Sequence, residues 1–329
     1  MRIVVTGGAG FIGANLCREL AARPGVTDVV AFDDLSTGSA ANLADVTGAP
    51  GSGGANVRLV VGSILDREHL EDVLAGADAV VHLAARPSVP RSLRDPVASH
   101  HVNATGTVHV LEACRRRGLH VVAASSSSVY GSVPDLPKHE DLATRPLSPY
   151  GASKLATEAY VLAYHAAFGL PALALRFFNV YGPLQPAGHA YAAVVPAFTD
   201  AALRGEPLRV HGDGLQTRDF TYVGTVVRIL ADAVARRVTC PAPVNLAFGG
   251  RVSILELAHL LAEVAGVPVE IRHEPPRPGD VRDSQAADAL LRRLFPGIVP
   301  VPLRTGLEHT VDWFRRALDR EPARTDALT

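Results

Sequence analysis

Two side chains in the stretch SPYGASKLATEAY, residues 148–160, have the types and spacing for proton transfer. Tyr150 and Lys154 stand four apart, so on a helix they share one face, one turn from each other. A free phenol has a pKa of about 10 and is a poor base at neutral pH. A cation about 4 Å away, at an effective dielectric near 20, is worth ~4 kcal/mol, or ~3 pKa units. An ammonium plus one further positive charge would bring the phenol close to 7, where it can take a proton from an alcohol. Only two of the 329 residues are lysine, and arginine supplies the rest of the basic charge. A lysine at 154 marks a place where a compact ammonium serves better than a guanidinium fork. A tyrosine and lysine on an ordinary surface helix would have the same spacing. The stretch SSSSVYG at 125–131 separates the two readings. It ends an apolar run, and the carboxyl ends of strands in open α/β sheets are where ligands sit. A hydrogen-bonded turn accounts equally well for one or two of the four serines.

A second group is suited to binding a dinucleotide. VVTGGAGFIGANL follows the first apolar run and holds Gly8-x-Gly10-x-x-Gly13, and also Gly7-x-x-Gly10-x-x-Gly13. Such glycines let backbone N–H groups approach a pyrophosphate at a helix N-terminus. The pattern is weak alone, but a strand precedes it, a helix follows it, and Asp33 stands twenty positions beyond Gly13. Asp33 can accept from ribose hydroxyls and would repel a 2′-phosphate, which favours NAD over NADP. Asp34 stands open between a second ligand and a surface carboxylate.

These residues need a scaffold, and the hydrophobic pattern supplies one. Apolar runs at 2–6, 29–32, 57–62, 79–84, 120–125 and 172–178 read as buried strands. Between them lie amphipathic stretches such as 12–22, with Ile12, Leu16 and Leu20 on one face. This alternation predicts an α/β fold, a Rossmann-type doubly wound parallel sheet with a smaller C-terminal α/β substrate domain. Residues 1–178 form the NAD-binding part. Residues 179–329 mainly form the second domain, with about 218–248 returning to the first. The segment 47–56 reads as a Gly-rich surface insertion and 319–329 as a frayed tail. Ser253, Glu256 and Gly266 bound the clearest later helix with a capping box and a glycine stop.

Composition excludes several classes. The chain is 47% hydrophobic and 20% charged with formal net charge −1, which gives no reason to expect a nucleic-acid or acidic-membrane partner. Mean hydropathy is +0.16, yet no apolar run reaches the ~18 residues of a spanning helix. The strand starting almost at Met1 leaves no room for a signal peptide, so a cytoplasmic location is expected. Cys17, Cys114 and Cys240 are odd in number and far apart, as reduced packing residues are. The histidines lack metal-ligand spacing, so metal-free chemistry is expected, and His100-His101 reads as a solvated loop.

The motifs TGGAGFIG, DDLSTG, HLAA, SVPRSLRDP, SSSSVYG, SPYGASK, RFFNVYGP, YAAVVP, GDGLQTRDFTYV and RPGDVRDS occur in this order almost end to end. In them the chain closely resembles the extended short-chain dehydrogenase/reductase superfamily, specifically its NAD-dependent nucleotide-sugar 4-epimerases. The resemblance implies Tyr150 as catalytic base, Lys154 as its cofactor-anchoring partner, and Ser126 as the hydroxyl on the reacting sugar oxygen. It implies NAD bound by Gly7, Gly10, Phe11, Ile12 and Gly13, and by Asp33, Asp34, Leu35, Ser36, Thr37 and Gly38. Ser63, Ile64, Leu83, Ala84, Ala85, Asn103 and Phe178, with Tyr150 and Lys154, complete that set. It implies a UDP-sugar held by Ser88, Ser126, Ser127, Ser128, Tyr150, Asn179, Val194 and Val195, and by Arg218, Arg277, Asp280 and Ser284. The arginines face the diphosphate. Arg218 could instead pair with Asp219, and Arg277 with Asp280.

Superfamily dehydratases and decarboxylases usually carry an acid just before VYG, where this chain has Ser127 and Ser128. The resemblance therefore implies 4-epimerisation of UDP-GlcNAc/UDP-GalNAc, of UDP-Glc/UDP-Gal, or of both. UDP-glucuronate 4-epimerisation is the alternative, and a non-catalytic NAD-binding sensor or scaffold is the reading from another class. Ser284 occupies the position of a sugar-facing gate and is small enough to admit an N-acetyl group. The family also implies a homodimer through helices at about 100–117 and 150–168. Two positions depart from its pattern: Ser63 replaces an adenine-binding Asp, and Gly224 replaces an acid.

Overall fold

The computed structural model describes residues 1–47, 55–187, 192–276 and 281–320. Six parallel strands, β1 (Arg2–Thr6), β2 (Asp28–Asp33), β3 (Asn56–Val61), β4 (Ala79–His82), β5 (His120–Ser126) and β6 (Ala172–Phe177), match the predicted runs to within one or two residues. A seventh strand, Val244–Leu246, pairs in parallel with β6 and was not singled out in the sequence. At three residues it is too short to show a period. The sheet order is Val244–Leu246, β6, β5, β4, β1, β2, β3. The order reverses between β1 and β4, and the carboxyl ends on either side of that point open a crevice.

Both faces of the sheet are covered, which is why its strands are apolar on both sides. On one face Leu16 and Leu20 of helix Phe11–Ala21 pack with Val226, Ile229 and Leu230 of helix Val223–Ala235. On the other lie Leu70, Val110, Leu111, Val161 and Tyr164, from helices Arg67–Val73, Gly106–Arg117 and Pro149–Phe168. A separate core around Phe198, Leu208, Val210, Leu257, Leu261 and Leu307 organises much of the chain beyond residue 179. Its helix Ile254–Ala265 begins with the predicted capping box and ends at Gly266, φ +64°.

The three cysteines are free and buried. His100 and His101 are solvated but helical, not looped: Pro96–His100 runs directly into a π-helical turn, His101–Thr105. Asp95 caps that run through its hydrogen bond from the Ala98 N–H at 3.0 Å, a signal the histidine pair itself does not carry. Gly224 also finds a reason. A Cβ there would lie 2.6 Å from Cε1 of Tyr222, whose ring packs on Tyr181 and His309. Residues 48–54 of the insertion and 321–329 of the tail lie outside the described residues. Among the described residues no helix is long and apolar enough to cross a membrane, and no group of three or more His, Cys, Asp or Glu could hold a metal ion.

Candidate active site

The glycine turn is built around close backbone approaches. Gly7 has φ +71°, and a Cβ there would lie 2.7 Å from the Ala84 nitrogen. At Gly13 a Cβ would lie 2.1 Å from the Gly7 carbonyl oxygen, so helix Phe11–Ala21 cannot seat against the turn with any side chain there. That helix starts at Gly10 with no capping side chain and no acid in its first turn. Its first N–H groups and positive end therefore remain available to an anion. Asp33, at the end of β2, is 7% exposed. One oxygen accepts from Ala9 N at 3.0 Å and the other from Leu35 N at 2.8 Å. Burial pushes its carboxyl above the ordinary range, and these backbone donors pull it back.

Gly7, Gly10, Phe11, Ile12, Gly13, Asp33, Asp34, Ser36, Thr37, Ile64, Leu83, Ala84, Ala85 and Phe178 all face one cleft of about 340 Å³, with Ser126, Tyr150 and Lys154. Leu35, at φ +59°, packs into the core beside it, and Gly38 lies against Ala9 and Asp33. The Ser63 hydroxyl accepts from Leu65 N at 3.2 Å, and its neighbours Gly62 and Ile64 form the wall. Asn103 is buried in the π-helical turn. Its amide accepts from Arg86 N at 2.6 Å and donates to Ser153 Oγ at 2.9 Å, so it holds the wall together from behind. The motifs did not point to Gln185, which also lines the cleft. Its Oε1 is buried without a hydrogen-bond partner among the described residues, an acceptor available to a ligand. An open helix N-terminus, a buried carboxylate and an orphan amide oxygen fit a dinucleotide.

Ser148 caps the helix Pro149–Phe168, accepting from Gly151 N at 3.1 Å with Pro149 in the first turn. This places Tyr150 in the first turn and Lys154 one turn later, against the end of β5. Lys154 is 5% exposed, and its ammonium donates to the Ala124 carbonyl at 2.6 Å. Burial lowers its pKa to about 8, and its charge is felt at His82, a ring held down at about 3 mainly by burial. The expected acidification of Tyr150 depends on a second positive charge besides Lys154. Burial raises its pKa, and a hydrogen bond with Ser126 is what pulls it back. In this protein alone Lys154 does not make the phenol acidic. Ser126 Oγ accepts from Ser128 N at 3.2 Å and Ser128 Oγ at 2.8 Å, which fixes the hydroxyl beside Tyr150.

One further turn along the same helix face, Glu158 is buried and bound twice by Arg176, at 2.9 and 2.7 Å. Ser125 Oγ donates to the same carboxylate at 2.7 Å. The Arg176 guanidinium stacks 4.7 Å from the Tyr130 ring centroid, and the Tyr130 hydroxyl donates to Asn245 Oδ1 at 2.7 Å. This network ties the reacting helix to β5, β6 and the edge strand, so Tyr150 and Lys154 sit on a braced element.

The second half of the site comes from distant segments. Ser88, Tyr150, Asn179, Val194, Val195 and Arg218 line one cavity of about 480 Å³. Ser88 has φ +95°, a strained backbone for a non-glycine residue of the kind found at ligand clamps. Ser127, Ser128, Ser284, Asn179 and Arg218 line an adjoining space of about 230 Å³. Arg218 donates to the carbonyls of Thr217 and Arg282 at 2.8 and 3.0 Å. Asp219 instead accepts from Gly249 N and Ala286 N at 3.0 and 3.1 Å, and burial lifts its pKa to about 6. Arg277 and Asp280 lie outside the described residues. The structure thus brings together every described residue predicted to touch the sugar nucleotide.

Known proteins resemble this chain over nearly its full length. A "UDP-glucose 4-epimerase" of Mycolicibacterium smegmatis is 38% identical over 323 residues, 96% of this chain and 99% of that protein. A "dTDP-glucose 4,6-dehydratase" of Streptomyces niveus is 35% identical over 96% of this chain and 93% of its own length. Among solved structures, the UDP-N-acetylglucosamine 4-epimerase of Methanobrevibacter ruminantium M1 in complex with UDP-N-acetylmuramic acid superposes with TM-score 0.88. It is 33% identical and covers 96% of this chain and 98% of that one. With residues 3–247 matching its profile as well, the chain belongs to the NAD dependent epimerase/dehydratase family.

Proposed function

We propose that this protein is an NAD-dependent 4-epimerase of UDP-sugars. The observation that carries the reading is the pairing of Ser126, Tyr150 and Lys154 with serines at 127 and 128, where dehydration or decarboxylation would call for an extra acid. The cavity around Tyr150 and Asn179 has no Asp or Glu among its described lining residues. NAD, when bound, supplies the hydride acceptor and a positively charged ring. Gly7, Gly10, Gly13 and Asp33 would hold its pyrophosphate and ribose. Tyr150 takes the proton from O4 as that alcohol is oxidised and returns it when the 4-keto sugar is reduced on its other face. Ser126 holds O4, and Lys154 keeps a positive charge beside the phenol. Arg218 and Asn179 hold the diphosphate while the sugar turns about it.

Ser284 leaves room for an N-acetyl group, which supports the UDP-GlcNAc/UDP-GalNAc pair beside UDP-Glc/UDP-Gal. UDP-glucuronate is the second reading, favoured by Ser127, Ser128 and Ser284 sharing one cavity. The test is proton NMR of the anomeric signals after mixing enzyme, NAD and each UDP-sugar. Appearance of the 4-epimer supports the reading; a 4-keto-6-deoxy product, or no conversion of any of the three, removes it. Ser284→Tyr should reduce turnover of the acetylated sugar more than that of the unacetylated one. We also infer a cytoplasmic homodimer using the helix Pro149–Phe168, whose Tyr160 and Phe168 are exposed at 44% and 57%. Light scattering of Phe168→Asp, expected to be monomeric, checks the assembly.

A further inference from the structure

Asn245 lies on the edge strand Val244–Leu246, fully buried, and lines none of the three cavities described above. Its side chain is nevertheless fully committed. Oδ1 accepts from the Tyr130 hydroxyl at 2.7 Å, and Nδ2 donates to the carbonyls of Lys138 and Ala287 at 2.8 and 3.3 Å. Two carbonyls can only accept, so the amide has one orientation. Neither a carboxylate nor an apolar side chain of that shape could make both sets of bonds.

The partners of this amide belong to different parts of the molecule. On one side the Tyr130 ring lies under Arg176, which holds Glu158 on the helix of Tyr150 and Lys154. On the other side the backbone of Lys138 pairs with residues 285–287: Lys138 N donates to Gln285 O at 2.7 Å, and Ala287 N donates to Lys138 O at 2.8 Å. Ser284 immediately precedes these residues, and its N–H donates to Thr217 O at 3.1 Å. An apolar cluster closes round the same junction, with Val129, Tyr130, Phe178, Ala247 and Ala286 packed against Leu155, the neighbour of Lys154. One buried amide therefore joins the reacting helix to the segment that carries Ser284. Leaving such an amide half-bonded is costly, which keeps the two in register.

We propose that Asn245 is a positioning residue that sets the Ser284 segment at its working distance from Tyr150, and so governs how the sugar is held without touching it. This rests on the cleft being a UDP-sugar site. Two substitutions break the bridge at different joints. Tyr130→Phe removes the hydroxyl and keeps the ring under Arg176; Asn245→Asp keeps the acceptor and removes both donors. The test is calorimetric titration of each NAD-loaded protein with UDP-glucose and with UDP, and of the cofactor-free proteins with NAD. Each variant should bind UDP-glucose about tenfold more weakly than the natural chain does, with the affinities for UDP and NAD little changed. Unaltered UDP-glucose binding in Tyr130→Phe overturns the proposal. So does equal weakening of UDP-glucose and UDP, because the bridge would then serve the diphosphate or the fold. Tyr130→Phe alone decides the matter if the buried carboxylate of Asn245→Asp prevents folding. A natural chain that binds neither UDP-glucose nor UDP would instead sink the reading of the cleft itself.

Discussion

The two halves of the cleft are built in opposite ways. The dinucleotide half comes from short continuous pieces: one glycine turn, one strand end at Asp33, and backbone amides already pointing inward. The half proposed for the sugar nucleotide is assembled from residues 88, 127–128, 179, 194–195, 218 and 284, which meet only in the folded chain, with Ser126 at its junction with the first. Local chemistry suffices for a ligand recognised through its backbone-facing phosphates. Recognition of a variable sugar draws on side chains that can be exchanged one at a time without disturbing the turn.

Substitutions can break this division. Tyr150→Phe, at the junction, should lower turnover about 10²- to 10⁴-fold while NAD stays bound; release of the cofactor on gel filtration would mean that the phenol is structural. Asp219 should give the sugar half a pH dependence. Its folded pKa, about 6, is raised above that of an ordinary carboxylate. The folded state therefore holds its proton more tightly, and stability falls as pH rises from about 4 through about 6. Asp219→Asn should flatten the pH dependence of the unfolding free energy from urea titrations over that window, by roughly 3 kcal/mol; an unchanged slope would refute the assignment. Arg218→Gln should weaken UDP binding by about 1.5–3 kcal/mol and leave retained NAD as it is. Gly13→Ala should do the reverse: a stability loss of about 1–3 kcal/mol and loss of bound dinucleotide, read by thermal melting and absorbance, with UDP affinity little altered. If Arg218→Gln and Gly13→Ala affect both ligands equally, the halves are one cooperative unit.

How much could be read beforehand follows the same division. The turn, Asp33, six strands and the Ser148-Pro149 helix start all announce themselves within a few residues, because backbone geometry dictates them. Ser284 and Arg218 are legible through resemblance, since nothing in their neighbours says that they face one space. Lys138 gave no signal at all. In PDLPKHED it looks like a solvated loop residue, and it is buried only because residues 285–287 and Asn245 close over it. Val244–Leu246 is similar, a strand because β6 offers an edge. The phenol shows what spacing leaves out. Spacing places a lysine near a tyrosine, but their electrostatics depend on burial, which spacing does not report.

The bidentate contact between Glu158 and Arg176 has a consequence for protein engineering. A designer who transplants the segment 148–168 into another scaffold moves an anion whose counter-ion sits in a different part of the chain. Without an arginine supplied at the equivalent spot, the graft would leave that carboxylate stranded in a medium of low polarity, and the borrowed tyrosine and lysine would lose their footing before any reactant arrived.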